Sequence, residues 1–417
     1  MVESPLLLNG EDNSLGMDKA TFRRWMAMIA NSTLTLALLL SVSSAAAAQS
    51  FSYPDFTDIT GLTLNGTASQ QGSALRVTGY TTNANGSFFY DTPVPVSPGF
   101  ETTFTFQIDT LGTSGADGMA FAIHSDPRTG SALGDTGSAL AYSSYPTSAP
   151  GTAIANSVVV ELDTWLSSGD ADSSDNEISI HTNGAGDNAH HENFSLGRVT
   201  PAIDMSDGLV HTVRIRYLPG RLDVFLDDLG TPVLGVAYDF ATGGTFLLGG
   251  GPVGGLTLIN GTDAYVGFTA ATGGEREVHD TLSWEFGEAT VGRRYCVSNP
   301  NSTGAPALIN AFGSDSVSDN HLTVHSSPVP NQPGMFVYAL TQVQVPFGDG
   351  FVCSVGSRGR LTPTVAVGNE AICVLDFPSL RMPINPGDTW NFQHLYRDPG
   401  FGAHFNSSDG LEIQFTP

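Results

Sequence analysis

Short runs in which every second residue is apolar follow one another along most of the chain, separated by turns rich in Gly, Asn and Asp. Clear examples are Phe104-Phe106-Ile108, Val213-Ile215-Tyr217, Leu222-Val224-Leu226 and Leu282-Trp284-Phe286. A period of two is typical of a β-strand with one buried face. No stretch after residue 48 has a convincing helical period. The sequence therefore predicts an all-β fold, with many short antiparallel strands in a large sandwich or jelly roll.

The start of the chain indicates export. Lys19, Arg23 and Arg24 precede an apolar run that ends in alanines at residues 26–48, which is the pattern of a secretory signal peptide. Acidic residues ahead of a basic segment are unusual, so Met17 is a candidate for the true start. We expect residues 1–48 to be removed and the protein to be secreted or held at the cell surface. No later segment is apolar and long enough to span a bilayer, which predicts no membrane insertion.

The net charge of the chain limits the classes of molecule that it is expected to bind. The formal net charge is −25, and Lys19 is the only lysine. An acidic surface of this kind argues against nucleic acid and anionic membranes as partners, and it is compatible with binding of cations.

The cysteines are distributed unevenly along the rest of the chain. Residues 49–288 contain none, whereas Cys296, Cys353 and Cys373 lie in the last third. We predict one β-sandwich domain over 49–288 and a second, smaller β-sandwich over 289–417. Export permits one disulfide and one free thiol, and we favour the pair Cys296 and Cys353, although connectivity cannot be deduced from sequence.

A strand that ends in carboxylates is the strongest sign of a functional site. In VVVELDTW, at 158–165, the alternation places Glu161 and Asp163 on one face of the strand. The loop that follows adds four acids and no basic residue: Asp170, Asp172, Asp175 and Glu177. A solvated acidic loop is the plain alternative. Acids at the end of an apolar strand are costly without partners, however, and oxygen ligands at close spacing favour calcium.

The order of several segments resembles the L-type (legume-type) lectin family, in its bacterial branch. These segments are ADGMAFAI at 116–123, DPRTGSALGDTGSALAY at 126–142, VVVELDTW at 158–165, DGLVHTVRIRY at 207–217, RLDVFLD at 221–227 and AYVGFTAATGGEREVHDTLSWEF at 264–286. The resemblance implies a jelly-roll sandwich with calcium and a transition metal under a shallow sugar site.

The resemblance also implies a set of metal ligands. Glu161 resembles the ligand of the transition metal alone, and Asp163 and Asp172 resemble the aspartates shared by both ions. Trp165 resembles the aromatic residue whose carbonyl binds calcium and whose ring packs on the sugar.

Two positions depart from the family pattern. Ser167 stands where the family has an asparagine that binds calcium and sugar, and Asp170 is a candidate to compensate. Glu177 stands where the family has a histidine on the transition metal. An all-oxygen second site would favour calcium, magnesium or manganese.

The implied sugar site comes from three loops. Asp117 resembles the aspartate, commonly preceded by a cis peptide bond, that accepts hydrogen bonds from two sugar hydroxyls. Gly137 and Ser138 lie in the Gly-rich loop that donates a backbone N–H. Gly274 and Glu275 lie in the loop that sets monosaccharide preference.

Two other site types have weaker support. Sandwich glycosidases commonly carry a second glutamate after an E-x-D strand, whereas Trp165 and Leu166 occupy those positions here, so the catalytic pair is incomplete. His190-His191-Glu192 lacks a second histidine pair at ligand spacing and is interpreted as a surface loop.

The last 129 residues resemble the ends of secreted proteins from environmental bacteria, without a role that can be assigned. Trp390, Phe392 and Tyr396 alternate. That spacing favours a core position, with a second ligand platform as the alternative.

These observations lead to one interpretation and two alternatives. We expect a secreted, metal-dependent lectin that recognises glycans or polysaccharides without catalysis, with calcium and a second divalent ion as candidate cofactors. The first alternative is a structural or adhesion protein whose lectin-like domain keeps metal but has lost sugar binding. The second is a glycosidase. The sequence leaves the oligomeric state open.

Overall fold

A computed structural model describes residues 50–417, and the predicted signal peptide lies outside the described residues. Contacts divide the described chain into two compact units. The first contains 50–290 and 312–314, and the second contains 291–311 and 315–417. Strands and a few single turns of 3-10 helix make up both units, so the all-β prediction is confirmed. No helix among the described residues is long and apolar enough to cross a membrane.

Eighteen strands, numbered in chain order, build the first unit. They are β1 (Phe51–Tyr53), β2 (Leu62–Gly66), β3 (Ser69–Gln71), β4 (Ala74–Thr78), β5 (Asn85–Tyr90), β6 (Val94–Pro95), β7 (Phe100–Asp109), β8 (Gly118–His124), β9 (Ser157–Asp163), β10 (Glu177–Thr182), β11 (Ser195–Val199), β12 (Asp207–Leu218), β13 (Arg221–Leu226), β14 (Leu234–Asp239), β15 (Gly243–Thr245), β16 (Pro252–Val253), β17 (Asp263–Ala271) and β18 (Val278–Glu288). Single turns of 3-10 helix occur at Thr129–Ser131, Gly137–Ala139 and Glu192–Phe194.

These strands form two sheets. The ten-stranded back sheet has the order β16-β15-β14-β13-β12-β7-β18-β4-β3, and β1 pairs with β18. The eight-stranded front sheet has the order β11-β10-β9-β8-β17-β5-β2, and β6 pairs with β17. Neighbours are antiparallel, which agrees with the jelly-roll prediction.

The core between the sheets is built around Trp284 of β18. Its ring centroid lies 5.1 Å from that of Phe268 and 5.9 Å from that of Phe88, both on the front sheet. Its indole N–H donates to Thr102 Oγ1 at 2.9 Å, so the polar atom of this buried ring is satisfied.

The front sheet also buries part of its outer face. Val159 of β9 and Ala120 of β8 pack there against Leu140, Tyr142 and other residues of the long connection between β8 and β9. Since strand residues alternate between faces, Glu161 and Asp163 share this covered face with Val159. The acids are therefore held at the sheet by a loop above them.

Arg128 ties this covering loop together. Its guanidinium forms a two-pronged ion pair with Asp126, at 2.8 and 2.9 Å. The same group donates to the carbonyls of Leu133, Thr152 and Ala153 at 2.7–3.0 Å. One side chain thus satisfies backbone acceptors from both ends of a segment that has almost no regular structure of its own.

Strands β19 to β27 continue into the second unit. They are β19 (Arg293–Tyr295), β20 (Leu308–Gly313), β21 (Leu322–Ser327), β22 (Pro333–Phe347), β23 (Gly350–Arg360), β24 (Thr364–Val365), β25 (Ala371–Leu375), β26 (Thr389–Arg397) and β27 (Phe405–Gln414), with a 3-10 turn at Phe377–Ser379. One sheet has the order β19-β27-β26-β22-β23 with β24 on β22, and a smaller sheet has the order β20-β21-β25. Trp390, Phe392 and Tyr396 are all buried, so the core interpretation is confirmed.

A disulfide joins Cys296 to Cys353 in the second unit, with a Cα–Cα distance of 5.9 Å. Cys373 is the free cysteine among the described residues, and it is buried. The bridge closes a loop with a sequence separation of 57.

We predict that replacing Cys296 and Cys353 together by Ser lowers the free energy of unfolding of this unit by about 4 kcal/mol, because the open chain gains loop entropy. Urea unfolding followed by circular dichroism measures the change. The control is Val374→Ser, at an exposed position of β25 outside the disulfide, which should stay within about 1 kcal/mol of the parent. Unchanged stability of the double variant would contradict the account.

Candidate functional site

Asp117 lies at the start of β8, where the front sheet meets two loops. The Ala116–Asp117 peptide bond is cis. The Asp117 N–H donates to Ala271 O, and the Thr164 N–H donates to Asp117 O, both at 3.1 Å. The side chain is 6% exposed, and its Oδ2 has no hydrogen-bond partner among the described residues. Burial raises the pKa of this carboxyl to about 7, although the charge of His279 and the backbone N–H of Gly273 act in the opposite direction. A buried acceptor without a donor is suited to a ligand hydroxyl.

Two glycine-containing loops approach Asp117 closely. The Gly137 N–H donates to Thr272 O at 3.0 Å, which fastens the Gly-rich loop to the end of β17. A Cβ added to Gly273 would lie 2.9 Å from Asp117 Oδ2 and 3.4 Å from Gly137 Cα. Larger residues would therefore close the space beside the carboxylate. Gly274 and Glu275 follow on the exposed part of this loop.

Ser138 and Asp170 join the Gly-rich loop to the acidic loop. Ser138 Oγ donates to Asp170 Oδ2 at 3.1 Å, and Asp170 Oδ1 lies 3.3 Å from His190 Nε2. His190 is anchored in turn by Ser143 Oγ, 2.8 Å from Nδ1. Asp170 thus holds two loops together, and both of its carboxylate oxygens have protein partners.

Three acidic side chains point to the same face of the front sheet. They belong to Glu161 and Asp163 of β9 and to Glu177 of β10. The strand register places Glu177 directly opposite Asp163, and Ser179 directly opposite Glu161. Directly opposed side chains on neighbouring strands point the same way. Glu177 accepts a hydrogen bond from the Ser173 hydroxyl, and burial raises the pKa of Glu177.

Asp163 and Asp172 shape the loop after β9. Asp163 Oδ1 accepts the Trp165 N–H at 2.8 Å, and Asp172 Oδ2 accepts the Ser167 N–H at 2.7 Å. Desolvation and the charges of Glu161 and Asp172 raise the pKa of Asp163 well above its usual range. Burial raises the pKa of Asp172 to about 7. Two backbone N–H groups do not neutralise these carboxylates.

Glu161 is satisfied by a different set of partners. Tyr142 Oη donates to its Oε1 at 2.5 Å, the Ser179 hydroxyl donates to its Oε2, and His181 Nε2 lies 3.1 Å from Oε2. His181 Nε2 also lies 3.1 Å from Glu192 Oε1. Desolvation would raise the pKa of Glu161, but the charge and hydrogen bond of His181 hold it below its usual value.

Glu161, His181 and Glu192 form a buried group with ligand atoms within 4.8 Å of one another, an arrangement that can hold a metal ion. Sequence reasoning missed this group. His181 alternates with Glu177 and Ser179 on β10, so the period of two was a usable signal. Interpreting 190–192 as a surface loop was wrong for Glu192, which is 1% exposed because it folds back onto His181.

A buried polar network lies behind Asp117. Glu277 is fully buried and accepts hydrogen bonds from the Thr164 hydroxyl and from His279 Nε2, the latter at 3.0 Å. His279 Nδ1 lies 2.5 Å from Thr78 Oγ1. Since the Thr164 N–H also holds Asp117 O, the network fixes the end of the acidic strand beside Asp117.

The donor set fits one of the two metals that the resemblance implies. Asp163 and Asp172, with the Trp165 carbonyl, offer oxygen atoms and negative charge without a protein counter-ion, which suits calcium. A second ion held by Glu161, His181 and Glu192 would have to displace hydrogen bonds that already exist, because protein donors engage both carboxylate oxygens of Glu161. Ser167 is partly exposed and contributes its N–H to Asp172.

The chain is similar to several known proteins over its first part. The chain is 28% identical over 285 residues to an L-type lectin-domain containing receptor kinase of Oryza sativa subsp. japonica. That match covers 61% of this chain, which spans only 39% of the length of the kinase. Among solved structures, the chain is similar to a lectin from Bauhinia forficata in complex with GalNAc (25% identity, TM-score 0.45) and to basic winged bean lectin with Tn-antigen (26% identity, TM-score 0.44). Each of these two matches covers 58% of this chain and 98% of the solved lectin chain.

The family comparison covers residues 50–290, the continuous part of the first unit. A family model described as the legume lectin domain matches residues 48–296, which is more than half of the 417 residues. The match includes Asp117, the Gly-rich loop and the carboxylates of β9 and β10. The chain therefore belongs to the legume lectin domain family.

Proposed function

We propose that this protein is a secreted, calcium-dependent lectin that binds glycans or polysaccharides without changing them. Membership of the legume lectin domain family implies carbohydrate binding. The observation that carries the proposal for this chain is Asp117 Oδ2, a buried acceptor without a donor, beside a space that stays open because residue 273 is glycine. A pair of sugar hydroxyls would supply the missing donors.

Binding would combine three kinds of contact. Asp117 accepts hydroxyl protons, the backbone N–H of Ser138 donates, and the Trp165 ring packs on the apolar face of the sugar. The Gly137 N–H is already engaged by Thr272 O and instead holds this loop in place. Gly274 and Glu275 lie exposed on the adjoining loop, where they would contact substituents. Each hydrogen bond replaces one to water, so the affinity for a single sugar is modest and several sites are needed for avidity.

Calcium would act by fixing the shape of the loop from Trp165 to Asp172. Asp163, Asp172, the Trp165 carbonyl and the position of Ser167 would hold the ion, which supplies positive charge among the carboxylates. With the loop held in this way, the Trp165 ring would stay oriented toward the sugar. We do not expect a second ion at Glu161, since Tyr142 and His181 already satisfy that carboxylate.

The absence of catalysis is part of the proposal. A retaining or inverting glycosidase needs two carboxyl groups on either side of the scissile bond. Trp165 and Leu166 occupy the positions where the strand would supply the second one, and Glu277, the acid behind Asp117, is fully buried.

One observation favours the alternative of a structural or adhesion protein without sugar binding. Ser167 replaces the asparagine of the family pattern, and Asp170 is committed to Ser138 and His190. The amide that would contact both calcium and sugar thus has no replacement in this loop. Export remains part of the proposal and is supported by the signal-like residues 1–48 and by the disulfide.

A glycan array tests the proposal. We expect the purified protein to bind a defined set of glycans in calcium, and to lose binding in a chelator. Asp117→Asn should abolish the signal, because the amide replaces one acceptor oxygen by a donor. The matched control is Asp228→Asn, an exposed aspartate of the β13–β14 turn, which should bind like the parent. An array without hits, on folded protein in calcium, would favour the adhesion alternative.

Calcium dependence also predicts how stability varies with pH. A carboxyl whose pKa is raised in the folded state binds protons more tightly there, so its contribution to stability is present at low pH and is lost as pH rises. For Asp172 this window runs from 3.8 to about 7. In chelator, we expect Asp172→Asn to melt several degrees higher than the parent at pH 8, and at nearly the same temperature at pH 4.

Thermal melts monitored by circular dichroism, with and without calcium, measure this effect. The control is Asp175→Asn, an exposed acid of the same loop, which should follow the parent. Calcium should raise the melting temperature of the parent but not that of Asp172→Asn. If the parent protein has the same melting temperature in calcium and in chelator, the proposed ion is contradicted.

A further inference from the structure

A cluster of three polar side chains joins the Gly-rich loop to the loop after β9. Ser138 Oγ donates to Asp170 Oδ2 at 3.1 Å, and Asp170 Oδ1 lies 3.3 Å from His190 Nε2. Ser138 belongs to the Gly-rich loop, Asp170 to the loop after β9, and His190 to the segment before the 3-10 turn at Glu192–Phe194. Because Ser138, Asp170 and His190 connect three separate segments of the chain, we call them the latch.

The backbone around Asp170 is fixed by protein groups. The Glu192 N–H donates to Asp170 O at 2.9 Å, and Arg198 Nη1 donates to Ala171 O at 2.8 Å. The Arg198 guanidinium also lies 3.3 Å from Glu192 Oε2, and Glu192 is 1% exposed. The part of the loop that carries Asp170 is therefore tethered to β11 and to the 3-10 turn.

Ser143 determines the orientation of the His190 ring. The Ser143 side chain is fully buried, and its Oγ accepts the His190 backbone N–H at 3.1 Å and lies 2.8 Å from His190 Nδ1. The Ser143 hydroxyl can donate its own proton to Nδ1. Nε2 is then the nitrogen that carries the proton of the neutral ring, and this N–H faces Asp170 Oδ1. With this tautomer, His190 is a hydrogen-bond donor to the carboxylate.

The aromatic ring of Tyr145 packs against two members of the latch. Its centroid lies 5.5 Å from that of His190 in an edge-on arrangement, and its Oη lies 3.3 Å from Ser138 Oγ. The same hydroxyl donates to Thr136 O at 3.0 Å. A Cβ added to Gly137 would lie 2.7 Å from Tyr145 Oη, so the backbone of the Gly-rich loop runs directly beside this ring.

The latch holds the Gly-rich loop at the point where it meets the proposed sugar site. The Gly137 N–H donates to Thr272 O at 3.0 Å, which fastens the loop to the end of β17. The next residue is fastened to a different element, through the hydroxyl of Ser138. In the proposed function the Ser138 N–H donates to the sugar, and hydrogen bonds weaken steeply when the donor is displaced or turned. The direction of this N–H therefore depends on the contact between Ser138 and Asp170.

We propose that Asp170 is a positioning residue of the sugar site, which holds the Ser138 N–H in place through the Ser138 hydroxyl and is itself held by His190. This inference rests on the proposed function and adds to it a residue that acts on the sugar only through Ser138. The latch does not require calcium, because both carboxylate oxygens of Asp170 have protein partners. Calcium and the latch thus have separate tasks, the first at Asp163 and Asp172 and the second at the Gly-rich loop.

Amide hydrogen exchange of the full protein tests the latch without a sugar. We expect peptides that cover residues 133–142 of the parent to exchange at the same rate in calcium and in chelator. Asp170→Ala should speed their exchange about tenfold in both conditions, the effect of losing one hydrogen bond to a charged group. The matched control is Asp187→Ala, an exposed aspartate of the segment before His190, which should exchange like the parent.

Two results of the exchange experiment would overturn the proposal. One is an unchanged exchange rate of residues 133–142 in Asp170→Ala. The other is an increase of about tenfold in the parent when calcium is removed, because the ion and not the latch would then hold the Gly-rich loop.

A double-mutant cycle tests whether Asp170 acts through Ser138. The probes are the methyl glycosides of glucose, mannose and galactose, titrated calorimetrically in calcium. Asp170→Ala and Ser138→Ala should each weaken binding about tenfold, and the double variant should also lose about tenfold rather than about a hundredfold. Each variant should still bind one calcium ion per chain, since neither side chain is a proposed calcium ligand.

The outcomes of the cycle separate the latch from the lectin function. If the parent binds a methyl glycoside and the two losses add, or if Asp170→Ala binds like the parent, the positioning role is overturned while the lectin function stands. If the parent binds none of the three glycosides and no glycan of the array, the positioning role falls together with the proposed sugar binding, even where the exchange experiment shows the latch.

Discussion

The buried carboxylates at the end of β9 are the constraint on which the site depends. Alternation puts Glu161 and Asp163 on the face that the connection between β8 and β9 covers, where negative charge needs a counter-charge. The two acids meet this need differently. Glu161 lies against His181 and two hydroxyls, whereas Asp163 faces Asp172 with only backbone N–H groups nearby. The carboxylate of Glu161 has protein partners for both oxygens, whereas that of Asp163 has no cationic partner among the described residues, which is the basis for the proposed calcium ion.

This division connects the fold to sugar binding. The loop from Trp165 to Asp172 is anchored at both ends by carboxylates that also repel each other, so an ion among them would set its shape. Asp117 receives the N–H of Thr164, directly after Asp163, and the network of Glu277 and His279 holds the same strand end. A change in the proposed ion site would therefore reach Asp117 through a short stretch of backbone.

Sequence alone predicted the parts of this arrangement that depend on local pattern. The period of two located the strands and placed Glu161 beside Asp163, and the resemblance brought Asp117 and Gly137 together from distant segments. Sequence alone could not predict which groups would form hydrogen bonds and ion pairs with these acids. Glu192 reaches His181 only because a loop folds back, and the Asp170 carboxylate contacts His190 and Ser138 on other loops. Such contacts depend on tertiary packing of loops, which leaves no period in the sequence.

The central claim is that Asp163 and Asp172 need one calcium ion, and that Glu161 does not need a second. Calorimetric titration of the chelator-treated protein, with calcium and then with manganese, tests it most directly. We predict one calcium ion per chain, lost in Asp163→Asn, and no additional manganese. Absence of calcium binding by the folded protein would contradict the account of Asp163. A second ion whose binding is lost in Glu161→Gln would contradict the account of Glu161.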